Sequence, residues 1–381
     1  MREYLSTLVD DISWARHYPT NSFSSKLKVL RDFRNLHELK GLTRYEYQQF
    51  RFERCPEVFR QTFLGKEEQR YYLDYLNPVK YSGLARNKYL AHRILEHTGV
   101  RKAELFCYYH PEGQVLGSDL IAHDLAGVVR ILKQKNVSAC VVKETEGFHG
   151  NNVFVIRSIL WKGNDGEVTF FNGEKKNLSE ILSDIPVIFE SEIKQTAQLS
   201  AFNESSVNTV RFMTMLYPDG KARLLDTFIK IGRTGKCVDN AGGGGNVDAC
   251  IDKETGVFKC VIQFDGYENV MDIEKHPDSG AQIAGVKINN WEEIVKEVLH
   301  FQECFPFIKA AGWDIALTDD GPVVIEINDF WDRTGQLFIR RGWREEIRDC
   351  FLAWQKTGAQ YIPYRAKNAL NKKLLEEIAN R

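Results

Sequence analysis

The stretch GWDIALTDDGPVVIEIN, running from Gly312 to Asn328, holds two runs of alternating apolar and polar residues joined by the turn formers of TDDGP. That pattern predicts a β-hairpin. If its turn centres on Asp320, an antiparallel register sets Asp314 directly opposite Glu326. Because side chains alternate across a strand, Trp313, Ile315, Leu317, Val323, Ile325 and Ile327 then share one apolar face. Gly312, Asp314, Ala316, Glu326 and Asn328 share the other. The first face is core.

The second face gathers two carboxylates and an amide, and neighbouring carboxylates repel unless a cation or a proton lies between them. Hard oxygen donors that leave coordination positions open suit Mg²⁺ carried by a nucleoside triphosphate. Taken alone, the same face reads equally as an ordinary solvated acidic surface. Its companions elsewhere in the chain decide between the two.

Outside the hairpin, the 381 residues exceed the usual size of a single core, so two or three packed subdomains are expected. Fifty-one basic and 52 acidic residues leave a net charge of −1, which gives no global field for nucleic acid or an anionic membrane. Phosphate recognition must therefore be local. The eight cysteines show no CxxC pair and no zinc spacing, as expected of reduced thiols. The N-terminus MREYLSTLVDDISWARHYP carries acidic residues where a secretory signal is apolar, and no later run reaches bilayer length. A soluble, cytoplasmic protein that is not integral to a membrane is expected.

Residues 1–78 show helical spacing in KLKVLRDFRNL and YEYQQFRFERCPEVFRQTFL, a helical N-terminal region whose aromatics are read as packing. Asn77-Pro78 breaks it, and NKYLAHRILEHTGV reads as a further helix ending near Gly99. SACVVKE and NVFVIRSIL read as strands around a glycine-containing loop, with two more at EVTFF and PVIFESEI. NTVRFMTMLY and KARLLDTFIKIG flank Pro218-Asp219-Gly220 as a second hairpin. A helix over NWEEIVKEVLHFQECF precedes the opening segment, and a charged helical tail follows from Arg344.

Lys143 ends an apolar strand beside the loop Gly147-Phe148-His149-Gly150-Asn151-Asn152, where freed backbone amides and an ammonium group suit phosphate oxygens. The order of features then runs Asn87-Lys88, Val142-Lys143, Glu190 to Ile193, Arg211, Asp314 and Glu326-x-Asn328. This order resembles the ATP-grasp superfamily. SSVNTVRFMTM, VDNAGGGG, HPDSG, the opening hairpin and Gln336 resemble its sugar-transfer-associated, polysaccharide-linked branch. The resemblance covers roughly residues 80–340.

The resemblance implies an α+β ATP-grasp fold, two α+β subdomains clasping ATP behind a helical N-terminal region. The core would span 79–343, with a glycine-loop subdomain at about 130–195 and a metal-binding subdomain at about 196–343, and 344–381 as the tail. It implies that Lys88 and Lys143 contact the ATP phosphates, Lys143 also near adenine, under a loop holding Gly147, His149, Gly150 and Asn151. Phe148 and His149 stand where familiar loops of this kind carry small residues, so His149 is either an extra phosphate donor or a bystander. Glu190, Glu192 and Ile193 belong to a hinge strand whose backbone reads adenine, with a carboxylate near the ribose. Arg211 and Lys230 would act on the transferring phosphoryl group, and Asp314, Glu326 and Asn328 would hold one or two Mg²⁺ ions.

Its implied activity is an ATP-dependent, ADP-forming carboxylate–amine ligation through an acyl phosphate, in surface polysaccharide synthesis or related metabolism. A small-molecule or sugar kinase and a non-catalytic nucleotide-binding regulator are the alternatives. The acid, the amine or other nucleophile, and the oligomeric state are not legible. AGGGGNVDA with Asp239, and HPDSG, are expected either to line the acceptor pocket or to be plain turns.

Overall fold

The computed structural model describes residues 2–20, 22–112, 120–147, 153–182, 184–237, 239, 246–265, 269–333 and 335–359. His149, Gly150 and Asn151, the glycine run at 242–245 and the chain beyond 359 lie outside the described residues.

Two seven-stranded sheets organise the chain. The first contains β1 (Leu105–Tyr109), β2 (Ile121–Ala122), β3 (Cys140–Glu144), β4 (Phe154–Lys162), β5 (Asp165–Phe170), β6 (Lys175–Asn177) and β7 (Val187–Glu190). Its order is β2-β1-β7-β3-β4-β5-β6, so the unit extends upstream of residue 130. The second contains β8 (Thr209–Leu216), β9 (Ala222–Ile231), β10 (Val247–Ile251), β11 (Phe258–Asp265), β12 (Asn269–Ile273), β13 (Ala310–Thr318) and β14 (Gly321–Asn328). Its order is β12-β11-β10-β9-β8-β13-β14, antiparallel throughout.

Alternation sorts the second sheet into two faces. Val210, Phe212, Ile229, Val247, Ala249, Trp313 and Ile315 turn to one side, where the helix Trp291–Cys304 covers them with Ile294, Val298 and Phe301. On the other side, Met213, Met215, Phe228 and Cys250 pack under Tyr72, Leu73 and Leu76 of the helix Lys66–Leu76 and Ile347, Cys350 and Phe351 of the helix Arg344–Gln355. Among the described residues the helix Arg344–Gln355, which opens the expected tail, is thus part of the core. In the first sheet, Cys140, Val142, Phe189 and Ile156 meet Val128, Val129, Ile131 and Leu132 of the helix Leu125–Gln134. That leaves Val141, Lys143, Val155, Arg157 and Glu190 for the opposite face, toward the second sheet.

The opening hairpin forms with Asp314 opposite Glu326 and Gly312 opposite Asn328, as its pattern predicts. It reaches that register by a different route. The turn is the two-residue Asp319-Asp320, pairing Thr318 with Gly321, and a bulge between Asp314 and Ile315 restores the alignment. Consequently Val324, not Val323 or Ile325, joins the core with Ile327, and Ile325 lines the cleft. The extra residue is Ile325, so the facing changes on β14 alone, while Trp313, Ile315 and Leu317 of β13 keep theirs.

The N-terminal helices are bound into the whole. Left-handed Arg51 and then Pro56 divide the helically spaced stretch into Arg44–Gln49, a single 3₁₀ turn at Phe52–Arg54 and Glu57–Thr62. Tyr18, Phe33, Tyr47, Phe52, Phe59 and Phe63 form an aromatic core that also takes in Leu337. Wholly buried Gln336 ties the two ends: its Oε1 accepts from the Leu64 (2.8 Å) and Trp343 (3.0 Å) amides, and its Nε2 donates to Leu64 O (3.1 Å). Beside it, a Cβ on Gly342 would lie 2.2 Å from the Thr62 carbonyl carbon. Gly342→Ala is therefore expected to lower unfolding free energy by about 1–3 kcal/mol, read from urea denaturation.

Candidate active site

Between the sheets lies a cleft of about 1230 Å³. Its floor is the exposed end of one face of the second sheet. Arg211, Lys230, Asp314, Glu326 and Asn328, from β8, β9, β13 and β14, all line it. Sheet order makes them neighbours, because β13 pairs with both β8 and β14 and sets Arg211 across from Asp314.

Asp314 is the hub. Arg211 grips it with both arms of the guanidinium, Nε to Oδ1 at 2.6 Å and Nη2 to Oδ2 at 2.9 Å, while Lys230 Nζ stands 3.1 Å from Oδ2. Burial alone would raise the Asp314 pKa; Arg211 and Lys230 outweigh it and hold the carboxyl well below the usual range. Glu326 is more open, with Lys88 Nζ 3.7 Å from its Oε1. Asn328 donates Nδ2 to Gly312 O at 3.3 Å, which leaves its Oδ1 as a ligand atom. Among the described residues no three His, Cys, Asp or Glu side chains form a metal cluster by themselves.

The first sheet supplies the roof. Lys143 pairs with Glu190, whose other oxygen lies 3.3 Å from His92 Nε2. Burial would raise the Glu190 pKa, but Lys143 and His92 reverse that and hold it at about 2. Lys88 opens the helix Lys88–Leu95, capped by Asn87, and donates to Gly147 O at 3.0 Å, so it bridges the loop to the Glu326 side. The expected hinge strand ends at Glu190; Ser191 to Gln195 are irregular. Glu190 is buried beside Lys143 and His92, Glu192 pairs with Arg157 (2.5 Å), and Ile193 lines the cleft. The amides of Glu192, Ile193 and Lys194 donate no hydrogen bond within the described residues.

Of the flanking segments, Asp239 lines the cleft and accepts from Thr209 N at 2.7 Å. His276 does not line it. That ring is buried and 3.0 Å from Gly232 O, and Asp278 pairs with Arg233, so the HPDSG turn buttresses the end of β9 from outside.

Composition and order did not single out Asp248. It sits opposite Lys230 on β10, is fully buried, and neither carboxyl oxygen meets a hydrogen-bond donor among the described residues. Burial, reinforced by Asp239, pushes its pKa up to about 7 against the pull of Lys230 and Arg211. A charged residue alternating within the apolar run VDACI was the available signal. A raised acid pKa means the folded state binds the extra proton, so stability falls as pH rises from about 4 to about 7. Asp248→Asn is expected to flatten that slope, gaining on the wild type by on the order of a few kcal/mol across this window. Urea midpoints measured from pH 4 to pH 8 would show it; parallel curves would contradict it.

A family model described as sugar-transfer associated ATP-grasp matches residues 67–349. Similar solved structures include the ATP-grasp ligase PsnB complexed with minimal precursor, 12% identical with a TM-score of 0.38, over 74% of this chain and 63% of that one. The D-alanine–D-alanine ligase of Bacillus anthracis is 14% identical with a TM-score of 0.40, over 74% of this chain and 72% of that one. The N5-carboxyaminoimidazole ribonucleotide synthetase of Thermotoga maritima is 13% identical with a TM-score of 0.39, over 73% and 52%. The chain thus spans less than two thirds of the length of the first and last of these. No curated protein matches it. Among the described residues no helix is long and apolar enough to cross a membrane.

Proposed function

The chain belongs to the sugar-transfer associated ATP-grasp family, and from that premise we propose that it is an ADP-forming ligase joining a carboxylate to an amine or another nucleophile. The observation that carries this reading is the cation set around one floor: Lys88 and Lys143 from above, Arg211 and Lys230 held on Asp314 from below. Four cations converging on one cleft suit a polyphosphate whose terminal group gains negative charge as it transfers.

In this reading the unengaged amides at Glu192 and Ile193 take the adenine edge, with Glu192 near the ribose, and Lys143 and Lys88 lie along the phosphates. Gly147, which lines the cleft, and His149, Gly150 and Asn151 are assigned to those same phosphates in this proposal. An acid carboxylate attacks the γ-phosphorus, the bond to the β-phosphate oxygen breaks, and ADP leaves. The nucleophile then attacks the acyl carbon, loses its proton and expels inorganic phosphate. Arg211 and Lys230 stabilise the phosphoryl oxygens, which compete with Asp314 for both cations and so release its carboxylate.

Glu326, the Oδ1 of Asn328 and the released Asp314 form a hard-oxygen set that fits Mg²⁺. When bound, the ion supplies charge neutralisation between adjacent phosphates. Cytoplasmic ATP and a role in surface polysaccharide synthesis are part of the same proposal.

The test is a matrix of carboxylic acids against amines with Mg-ATP, read by ADP, phosphate and product mass. Release of ADP and free phosphate with a condensed product supports the ligase; a stable phosphorylated acceptor would assign a kinase instead. ATP that is bound but never turned over would assign the non-catalytic nucleotide-binding regulator, and ATP that is not bound at all would overturn the ligase and both alternatives.

A further inference from the structure

The cleft has room for more than the nucleotide. About 1230 Å³ exceeds the roughly 300–1,000 Å³ of ordinary single-ligand pockets. Past the Asp314 floor its wall is built by the N-terminal helices, through Tyr45, Gln49, Phe50, Lys66 and Arg70. Four of these precede residue 67, where the family match begins.

Charge pairing distinguishes one residue of this wall. The other arginines lining the cleft each hold a carboxylate: Arg86 holds Asp329, Arg157 holds Glu192, Arg211 holds Asp314 and Arg333 holds Glu46. Arg70 is half-buried and pairs with no carboxylate among the described residues. Lys66, one turn earlier on the same helix, is likewise without an ion pair there. Lys66 is the first residue of an eleven-residue helix, where the backbone dipole adds to its field. Asp74, one turn beyond Arg70, confines that field to the helix start. The rings of Tyr45 and Phe330, which line the same cleft, are exposed, an arrangement that favours a ligand with an apolar face.

We propose that this end of the cleft binds the second substrate, with Lys66 and Arg70 holding an anionic substituent, carboxylate or phosphate, on a body whose apolar face covers Tyr45 and Phe330. The proposal rests on the ligase reading for the order of events, and its geometry is separate from the nucleotide site.

The test is calorimetric titration of the full chain, with and without Mg²⁺ and a non-hydrolysable ATP analogue. Matched probes are D-glucuronate and glucose 6-phosphate against glucose, and L-phenylalanine against its amide. The expected result is a preference of about tenfold or more for the anionic member of at least one pair. Arg70→Met should abolish that preference, Lys66→Met should reduce it, and Arg70→Lys should restore part of it. Glucuronate or phenylalanine responding alone identifies a carboxylate, and glucose 6-phosphate alone a phosphate. No anionic preference in any pair, or one that survives in both methionine variants, overturns the proposal. Analogue binding is scored separately: its failure would remove the nucleotide reading, while the anion preference is still decided in the titrations without analogue.

Discussion

Glu326→Ala is expected to abolish Mg-dependent ADP release, lowering turnover by about 100-fold or more while the protein stays folded. Glu326 is more open than Asp314, and its ion pair with Lys88 is a long one of 3.7 Å. Removing it costs little stability, within roughly 0.5 kcal/mol for a partly exposed side chain away from the core. In the proposed reading it removes a principal anionic anchor for the metal, whose charge stabilisation is worth several kcal/mol in the transition state. ADP release across a Mg²⁺ titration, beside a urea unfolding curve, separates the two effects. Turnover near the wild-type value would overturn the metal assignment.

Arg211→Met carries the second large effect, this time on both stability and chemistry. Arg211 is largely buried against Asp314, and its charge is favoured by that carboxylate despite the partial loss of solvent. Breaking a buried pair usually costs about 3–5 kcal/mol. Here Lys230 remains 3.1 Å from Asp314, so the lower end of that range is expected. Turnover should fall by about 10²–10³, as when a preorganised donor to a developing charge is removed. The apparent ATP affinity should change much less, since the guanidinium is asked to act on the transferring group. Arg211→Lys should recover stability more than turnover, because an ammonium cannot keep two parallel hydrogen bonds on one carboxylate. Equal losses in kcat and ATP binding would instead make Arg211 a part of the nucleotide site.

Much of this site was legible before any coordinates because strand alternation is a local property. Asp314 and Glu326 lie on one face since a hairpin pattern and a turn leave few registers open. The same parity places Arg211 and Lys230 on that face once β8 and β9 pair. What local pattern missed is instructive. The bulge after Asp314 exchanged Val324 for Val323 and Ile325 in the core, because one inserted residue costs little and leaves no composition signal. Read alone, Asp314 was a metal ligand; in the fold both its oxygens already hold cations from strands about a hundred residues away in the chain. Glu190 read as a hinge residue, and local pattern could not show that its two oxygens meet Lys143 and, from a distant helix, His92.

Sequence alone determined the family, the two-sheet class, the polar face of the hairpin and the break at Pro78, since each depends on periodicity or on residue order. Tertiary structure decided which charges meet: Arg211 and Lys230 on Asp314, Asp248 left unpaired beside Lys230, Arg70 left open in the cleft wall. It also decided that the N-terminal helices close the far end of the cleft. The physical reason is common to all of these. Hydrophobic patterning acts over a few residues and is written locally, whereas electrostatic pairing depends on distance in space and burial, which exist only after the sheets have packed.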